Sequence, residues 1–125
     1  MRLPGEIALH MRAHARWAEP AEACGLLAVS AEAVVFFYAC TNEDRSPVAF
    51  TVDPIEHFRA MQHAESNGWQ IGGSFHSHPS GSLSPSPADI AAALDPNWLY
   101  LIGSDVGVRA FRIAGGTFEE VVLGH

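Results

Sequence analysis

The stretch from Gly72 to Ile90, GGSFHSHPSGSLSPSPADI, allows few backbone conformations. The segment Trp69–His76 carries an apolar lead-in and reads as a strand, weakened by Gly72 and Gly73. Residues 79–85 are too dense in proline, serine and glycine for a helix or a strand, so the chain runs irregularly there. Ser86-Pro87-Ala88-Asp89 then reads as a helix start. It offers a hydroxyl at the N-cap, proline at the first helical position and an acid at the third. Strand, loop and helix in that order form the nucleus of an α/β reading.

The flanking sequence extends this reading. Residues 5–17 are expected to be helical, with Pro4 suited to the first turn and Ile7, Met11 and Ala15 recurring at i, i+4, i+8. Cys24–Val29 and Val34–Ala39 are short apolar runs around a turn at residues 30–33, as in a hairpin. Residues 42–47 form a polar loop, and Ala49–Val52 a short strand. Asp53-Pro54 opens a second helix that closes at Asn67-Gly68. The third helix, from Ser86, is expected to run through Ile90–Leu94. Trp98–Gly103, Val108–Ile113 and Phe118–Leu123 read as three strands of an antiparallel meander. The sum is α/β, with a mixed sheet and about three helices. No repeat or composition shift divides the chain, so residues 1–125 are expected to form one domain.

Charge and composition exclude several classes of function. Seven Lys plus Arg against 14 Asp plus Glu give a formal charge of −7, which leaves no basic patch for nucleic acid or an anionic membrane. No run approaches the roughly 20 apolar residues of a membrane span, and the N-terminus lacks the unbroken apolar core of a signal peptide. Two cysteines, Cys24 and Cys40, are too few for a disulfide framework and read as reduced thiols. The expectation is a cytoplasmic protein.

His76 and His78 carry the chemistry. On a helix, residues two apart diverge; on a strand they share a face. Here they can converge on one metal. Asp89, in the first turn of the next helix, is the natural third ligand, since the loop can return that turn to the strand end. Two imidazoles and a carboxylate suit zinc, and a catalytic zinc site keeps a fourth position for water. Each residue also has a plainer use. A histidine at a strand end is commonly just hydrogen-bonded, Asp89 could favour the helix dipole, and Ser86 could serve only as an N-cap.

The pattern His76-Ser-His78, seven residues beginning with Pro79, Ser86, two residues, Asp89 resembles the signature of the JAMM metalloproteases, or MPN-plus domains. That signature includes an upstream glutamate before a Cys-Gly-Leu-Leu strand, matched by Glu22-Ala-Cys-Gly-Leu-Leu27. The match spans nearly the whole chain and is similar to the prokaryotic members without ubiquitin-gripping insertions. The resemblance implies a curved mixed sheet like that of cytidine deaminases, with helices on both sides. It also implies that His76, His78 and Asp89 bind Zn²⁺, that Glu22 shuttles the proton between water and the departing amine, and that Ser86 donates to the developing oxyanion. The implied substrate is a ubiquitin-like or sulfur-carrier protein ending in Gly-Gly. Cleavage would free a target lysine or release a terminal residue such as cysteine. An oligomer is compatible with the sequence.

Two other classes compete with that reading. One is a non-catalytic MPN scaffold, disfavoured because every ligand and the glutamate are present. The other is a function like that of the DNA-repair-associated RadC proteins, which share His-x-His-Pro-Ser-Gly but do not suit the acidic charge. The deaminase pattern of His-x-Glu followed by Pro-Cys-x-x-Cys is missing. Glu19 reads as a solvated helix-end charge, Ser77 as a structural residue on the opposite face, and His57 and His63 as surface residues. His10 and His14 stand at i, i+4 but lack the glutamate of His-Glu-x-x-His. Cys24 reads as a small buried hydrophobe, and Cys40 as at most a spare soft ligand. Residues 42–50 are the candidate edge for pairing with an extended substrate tail.

Overall fold

The computed structural model of the protein describes residues 1–46 and 51–125. Among them the elements run α1 (Gly5–Ala18), β1 (Cys24–Ser30), β2 (Ala33–Cys40), α2 (Pro54–Ser66), β3 (Gln70–Ser77), α3 (Pro87–Ala92), β4 (Leu99–Ser104), β5 (Gly107–Ala114) and β6 (Thr117–Val121). The strands form one sheet in the order β2-β1-β3-β4-β5-β6. Only the β3–β4 pair is parallel. Parallel neighbours cannot be joined by a hairpin, and α3 lies in the crossover that joins these two.

Two of the helices, α2 and α3, start where the sequence supplies a side-chain cap. Asp53 caps α2 by accepting the Ile55 N–H at 2.8 Å, with proline following it in the first turn. Ser86 caps α3 by accepting the Asp89 N–H at 3.1 Å. The β1–β2 turn is closed by Ala31 and Glu32, at φ of 50° and 60°, the doubly positive turn that matches strand twist. Gly73 does not merely weaken β3: a Cβ there would collide with the Leu99 carbonyl of β4, so glycine permits the parallel strands to approach.

Alternation along the strands builds two cores. Leu27, Phe37, Phe75, Leu99 and Leu101 face α1, where Met11 and Ala15 close over them. Their neighbours Cys24, Leu26 and Cys40 turn to the other face and meet Ala60 of α2. Ile102, Phe111 and Ile113 lie beyond them against Ile90 and Ala93, at and just after α3. Each fully buried Phe or Leu contributes about 1.5–3 kcal/mol. The sheet thus has helical cover on both faces, as the resemblance implied.

Two expected boundaries shift by two residues, and several others by one. Helix α3 stops at Ala92 rather than Leu94, because Ala93 turns extended at ψ 119° and Pro96 disfavours helix just beyond. Strand β6 ends at Val121 rather than Leu123, because the chain then leaves β5 and pairs Gly124 with Arg2 near the N-terminus. Of the strand expected at Ala49–Val52, residues 49 and 50 fall outside the described residues; Val52 bridges to Asn42. The edge proposed for substrate pairing at residues 42–50 is likewise described only through Ser46.

Candidate metal centre

Antiparallel pairing sets Cys24, the first residue of β1, opposite His76 near the end of β3. Glu22 therefore arrives beside His76 and His78. The strand geometry persists one residue past β3, since the His78 N–H donates to the Gly103 carbonyl at 3.0 Å. Both imidazoles then lie on the same side. Between them, Ser77 points away and accepts the Ala23 N–H at 2.8 Å, which pins the start of β1 to the end of β3.

Three donor atoms meet at this edge. His76 Nε2 and His78 Nε2 are 3.1 Å apart, and Asp89 Oδ2 lies 3.1 Å from each. The edge of a tetrahedron with metal–ligand bonds of about 2.05 Å is about 3.3 Å, so the triangle has the size of one face of a tetrahedral zinc site. The protonation pattern agrees. His78 Nδ1 lies 3.0 Å from the Ser82 carbonyl, which can only accept, so Nδ1 carries the proton and a neutral ring leaves Nε2 bare. A bare nitrogen facing a carboxylate oxygen at 3.1 Å calls for a cation between or on them. The residues present fit a zinc ion.

The electrostatics mark the same point. Without an ion, a proton on His78 Nε2 is donated to Asp89, and this hydrogen bond raises the His78 pKa against the opposing effect of burial. Burial alone would raise the Asp89 carboxyl, but the hydrogen bonds from His76 and His78 outweigh it and hold the group well below the usual carboxylate range. Glu22 is only 4% exposed. Burial pushes its carboxyl up to about 7, with His78 pulling it down and Asp89 adding to the rise. A carboxyl poised there can take and return a proton near neutrality.

Ser86 accepts the Asp89 N–H, and its own N–H donates to Asp89 Oδ2 at 2.9 Å, a reciprocal capping box. That oxygen is the one facing both imidazoles, so the cap also orients the carboxylate. The other candidates separate from this cluster. His14 Nε2 lies 3.0 and 3.1 Å from the carbonyls of Cys24 and Cys40, and His10 stands edge-on to Phe37. His63 is exposed and bonds the Tyr38 hydroxyl, and Glu19 is exposed. Burial pushes the Cys24 and Cys40 thiols up to about 12, so they stay protonated and make poor ligands. Among the described residues the only group of three His, Cys, Asp or Glu side chains set to hold a metal is His76, His78 and Asp89.

Residues that sequence reasoning missed hold Glu22 in place. Asn42 Nδ2 donates to the Glu22 carbonyl at 2.9 Å, and the Glu22 N–H donates to the Ser46 carbonyl at 2.7 Å. Nothing local in the polar loop announces this role. Two cavities adjoin the site. One, of about 320 Å³, is lined by His76, Asp89, Ser74, Leu94, Trp98 and Tyr100. The other, of about 450 Å³, includes Glu22 in its wall.

Comparison with known proteins follows the same line. A desampylase from Haloferax volcanii is 35% identical over 116 residues, covering 90% of this chain and 84% of that protein. The CysO-cysteine peptidase of Mycobacterium tuberculosis is 32% identical over 120 residues, covering 88% and 80%. The solution structure of a protein from Desulfitobacterium hafniense superimposes with a TM-score of 0.86 at 36% identity, covering 98% of this chain and 90% of that one. Residues 4–114 match the family described as prokaryotic homologs of the JAB domain. The chain belongs to that family, the prokaryotic branch of the JAMM/MPN-plus domains.

Proposed function

We propose that residues 1–125 form one zinc-dependent peptidase domain that hydrolyses the bond after the terminal Gly-Gly of a ubiquitin-like or sulfur-carrier protein. The observation that carries this reading is the 3.1 Å triangle of His76, His78 and Asp89 donors, with Glu22 buried close enough to feel the charges of two of them. Zinc held by the three residues would polarise the scissile carbonyl and lower the pKa of water at the site toward about 7. Glu22 accepts the proton that the attacking water loses. As the water oxygen bonds to the acyl carbon and the C–N bond breaks, Glu22 delivers that proton to the leaving nitrogen. The products are a carboxylate on the carrier and a free amine. Ser86 Oγ, whose lone pair receives the Asp89 N–H, keeps its own proton for the developing oxyanion.

The relatives point to the substrate class. One is named a desampylase and another a CysO-cysteine peptidase, and both names describe separation of an attached group. We take the substrate to be a Gly-Gly-tailed carrier joined to a lysine amine or to a terminal residue such as cysteine. The test is to present such an extended carrier, and the same carrier with its last glycine changed to valine, to zinc-loaded protein. Mass spectrometry should show the first trimmed to Gly-Gly and the second intact. Equal cleavage of both, or cleavage of neither, refutes the assignment.

A further inference from the structure

The 450 Å³ cavity at Glu22 is lined also by His14, Trp17, Ala18, Pro20, Ala21 and Arg45. Its outstanding feature is Trp17, in the last turn of α1 and 79% exposed. Among the exposed large apolar side chains of the described residues, Trp17 is the one that lines this cavity. It stacks on His14 at a centroid distance of 5.7 Å and an interplanar angle of 16°. His14 is itself anchored: its Nε2–H is shared between the Cys24 and Cys40 carbonyls, at the start of β1 and the end of β2. The indole thus stacks on a ring anchored at the strand ends that adjoin Glu22.

We propose that this cavity receives the departing side of the scissile bond, and that Trp17 is the plate on which the aliphatic stem of a target lysine lies. The inference rests on the reading of Glu22 as the proton shuttle. If Glu22 protonates the leaving nitrogen, that nitrogen lies within about 3 Å of its carboxyl, and whatever the nitrogen carries must occupy space that Glu22 lines. Of the two cavities at the site, this is the one with Glu22 in its wall. The smaller cavity, lined by His76 and Asp89, lacks Glu22 in its wall.

The lining selects between the two kinds of leaving group. Trp17, Ala18, Pro20 and Ala21 offer apolar walls suited to four methylenes. A departing cysteine would instead set an α-carboxylate beside the Glu22 carboxyl, with Arg45 as the lining's cation. Arg45 shares its exposed loop with Glu43 and Asp44, which offset its charge. The same acids, with Glu19 at the end of α1, favour the basic surface around an exposed lysine. The volume also exceeds what a single cysteine needs and leaves room for the peptide on either side of a lysine.

The experiment uses zinc-loaded full-length chain and one Gly-Gly-tailed carrier in two forms: isopeptide-linked to a lysine of a short peptide, and α-linked to a single cysteine. Trp17→Ala should lower kcat/KM for the lysine form about tenfold, chiefly through KM, and Trp17→Phe should restore most of it. The ratio of kcat/KM for the lysine form over the cysteine form should fall with it. In a zinc-loaded Glu22→Gln background, Trp17→Ala should weaken binding of the uncleaved lysine conjugate by a similar factor relative to free carrier. An unchanged ratio, or unchanged binding of the conjugate, overturns the assignment of Trp17. If wild type with full zinc cleaves neither form, the peptidase reading itself falls, a pattern distinct from a lost preference.

Discussion

Glu22 should be a liability to the fold that bears it, and the size of that liability follows from its burial. Its carboxyl is pushed from 4.5 to about 7. Above pH 7 the folded protein carries a buried carboxylate that the unfolded chain would hold in water, at a cost of about 3 kcal/mol. The sign is set by proton binding. Between pH 4.5 and 7 the folded state holds the proton that the unfolded state has released, so the contribution of this group to stability falls as pH rises through that window. Glu22→Gln keeps the shape and removes the charge. In chelator-treated protein the variant should match wild type near pH 4 and gain progressively, reaching about 3 kcal/mol, or roughly 10 °C in Tm, at pH 8. Thermal melts of the two proteins from pH 4 to 8 read the difference directly, and other titrating groups largely cancel in the comparison. Zinc should shrink the gain, because a nearby cation stabilises the Glu22 carboxylate. The same variant should retain zinc and lose nearly all turnover. A stability gap independent of pH, or a wild type more stable than the variant at pH 8, refutes the reasoning.

Three further perturbations probe the same site. Purified protein should bind about one zinc per chain by elemental analysis, and His76→Ala or His78→Ala should abolish it, since three protein ligands make one site. Ser86→Ala should cost about 1 kcal/mol of stability through the lost N-cap and about 10²–10³ in kcat through the lost oxyanion donor; a variant with unchanged kcat removes Ser86 from the chemistry. Gly25→Ala should destabilise by about 1–3 kcal/mol in denaturant titration, because its Cβ would run into the Phe37 ring and the Tyr38 carbonyl, while the ligand set stays intact.

Much of this fold was legible because its punctuation is local. Asp53-Pro54 and Ser86-Pro87 mark helix starts through side-chain oxygens that accept nearby N–H groups, and the caps occur as read. The hairpin of β1 and β2 and the meander of β4 to β6 follow from short apolar runs around tight turns. Strand order is another matter. The six apolar runs are chemically alike, and only long-range packing decides that β3 pairs with β1 on one side and with β4, in parallel, on the other. The choice of Glu22 over Glu19 is of the same kind. The two differ by three positions, yet one is 4% exposed and the other open to solvent. The difference comes from Asn42, Ser46 and Ser77, which hold the backbone from Glu22 to Ala23 from far along the chain. No window of sequence around Glu22 contains those contacts, so in the sequence the choice between the two rests on the resemblance alone.

The second half of that motif has a physical reading of its own. Ser-x-x-Asp is the spacing of a capping box, with Ser86 at the N-cap of α3 and Asp89 at its third position. A helix of six residues has little stability by itself. It stands because its first turn is capped reciprocally and because Ile90 and Ala93 pack toward Ile102, Phe111 and Ile113. The oxygen that completes the cap, Asp89 Oδ2, is also the oxygen presented to His76 and His78. Capping fixes the rotamer, so a bound ion would cost little further side-chain freedom. The spacing from His78 to Ser86 has the complementary role: a loop of prolines, serines and glycine turns the chain from the strand end to the helix start, and its Ser82 carbonyl locks the His78 tautomer on the way. Helix start and candidate metal ligand are thus written in the same residues, which is why the segment from His76 to Asp89 carries a chemical expectation independent of its tertiary setting.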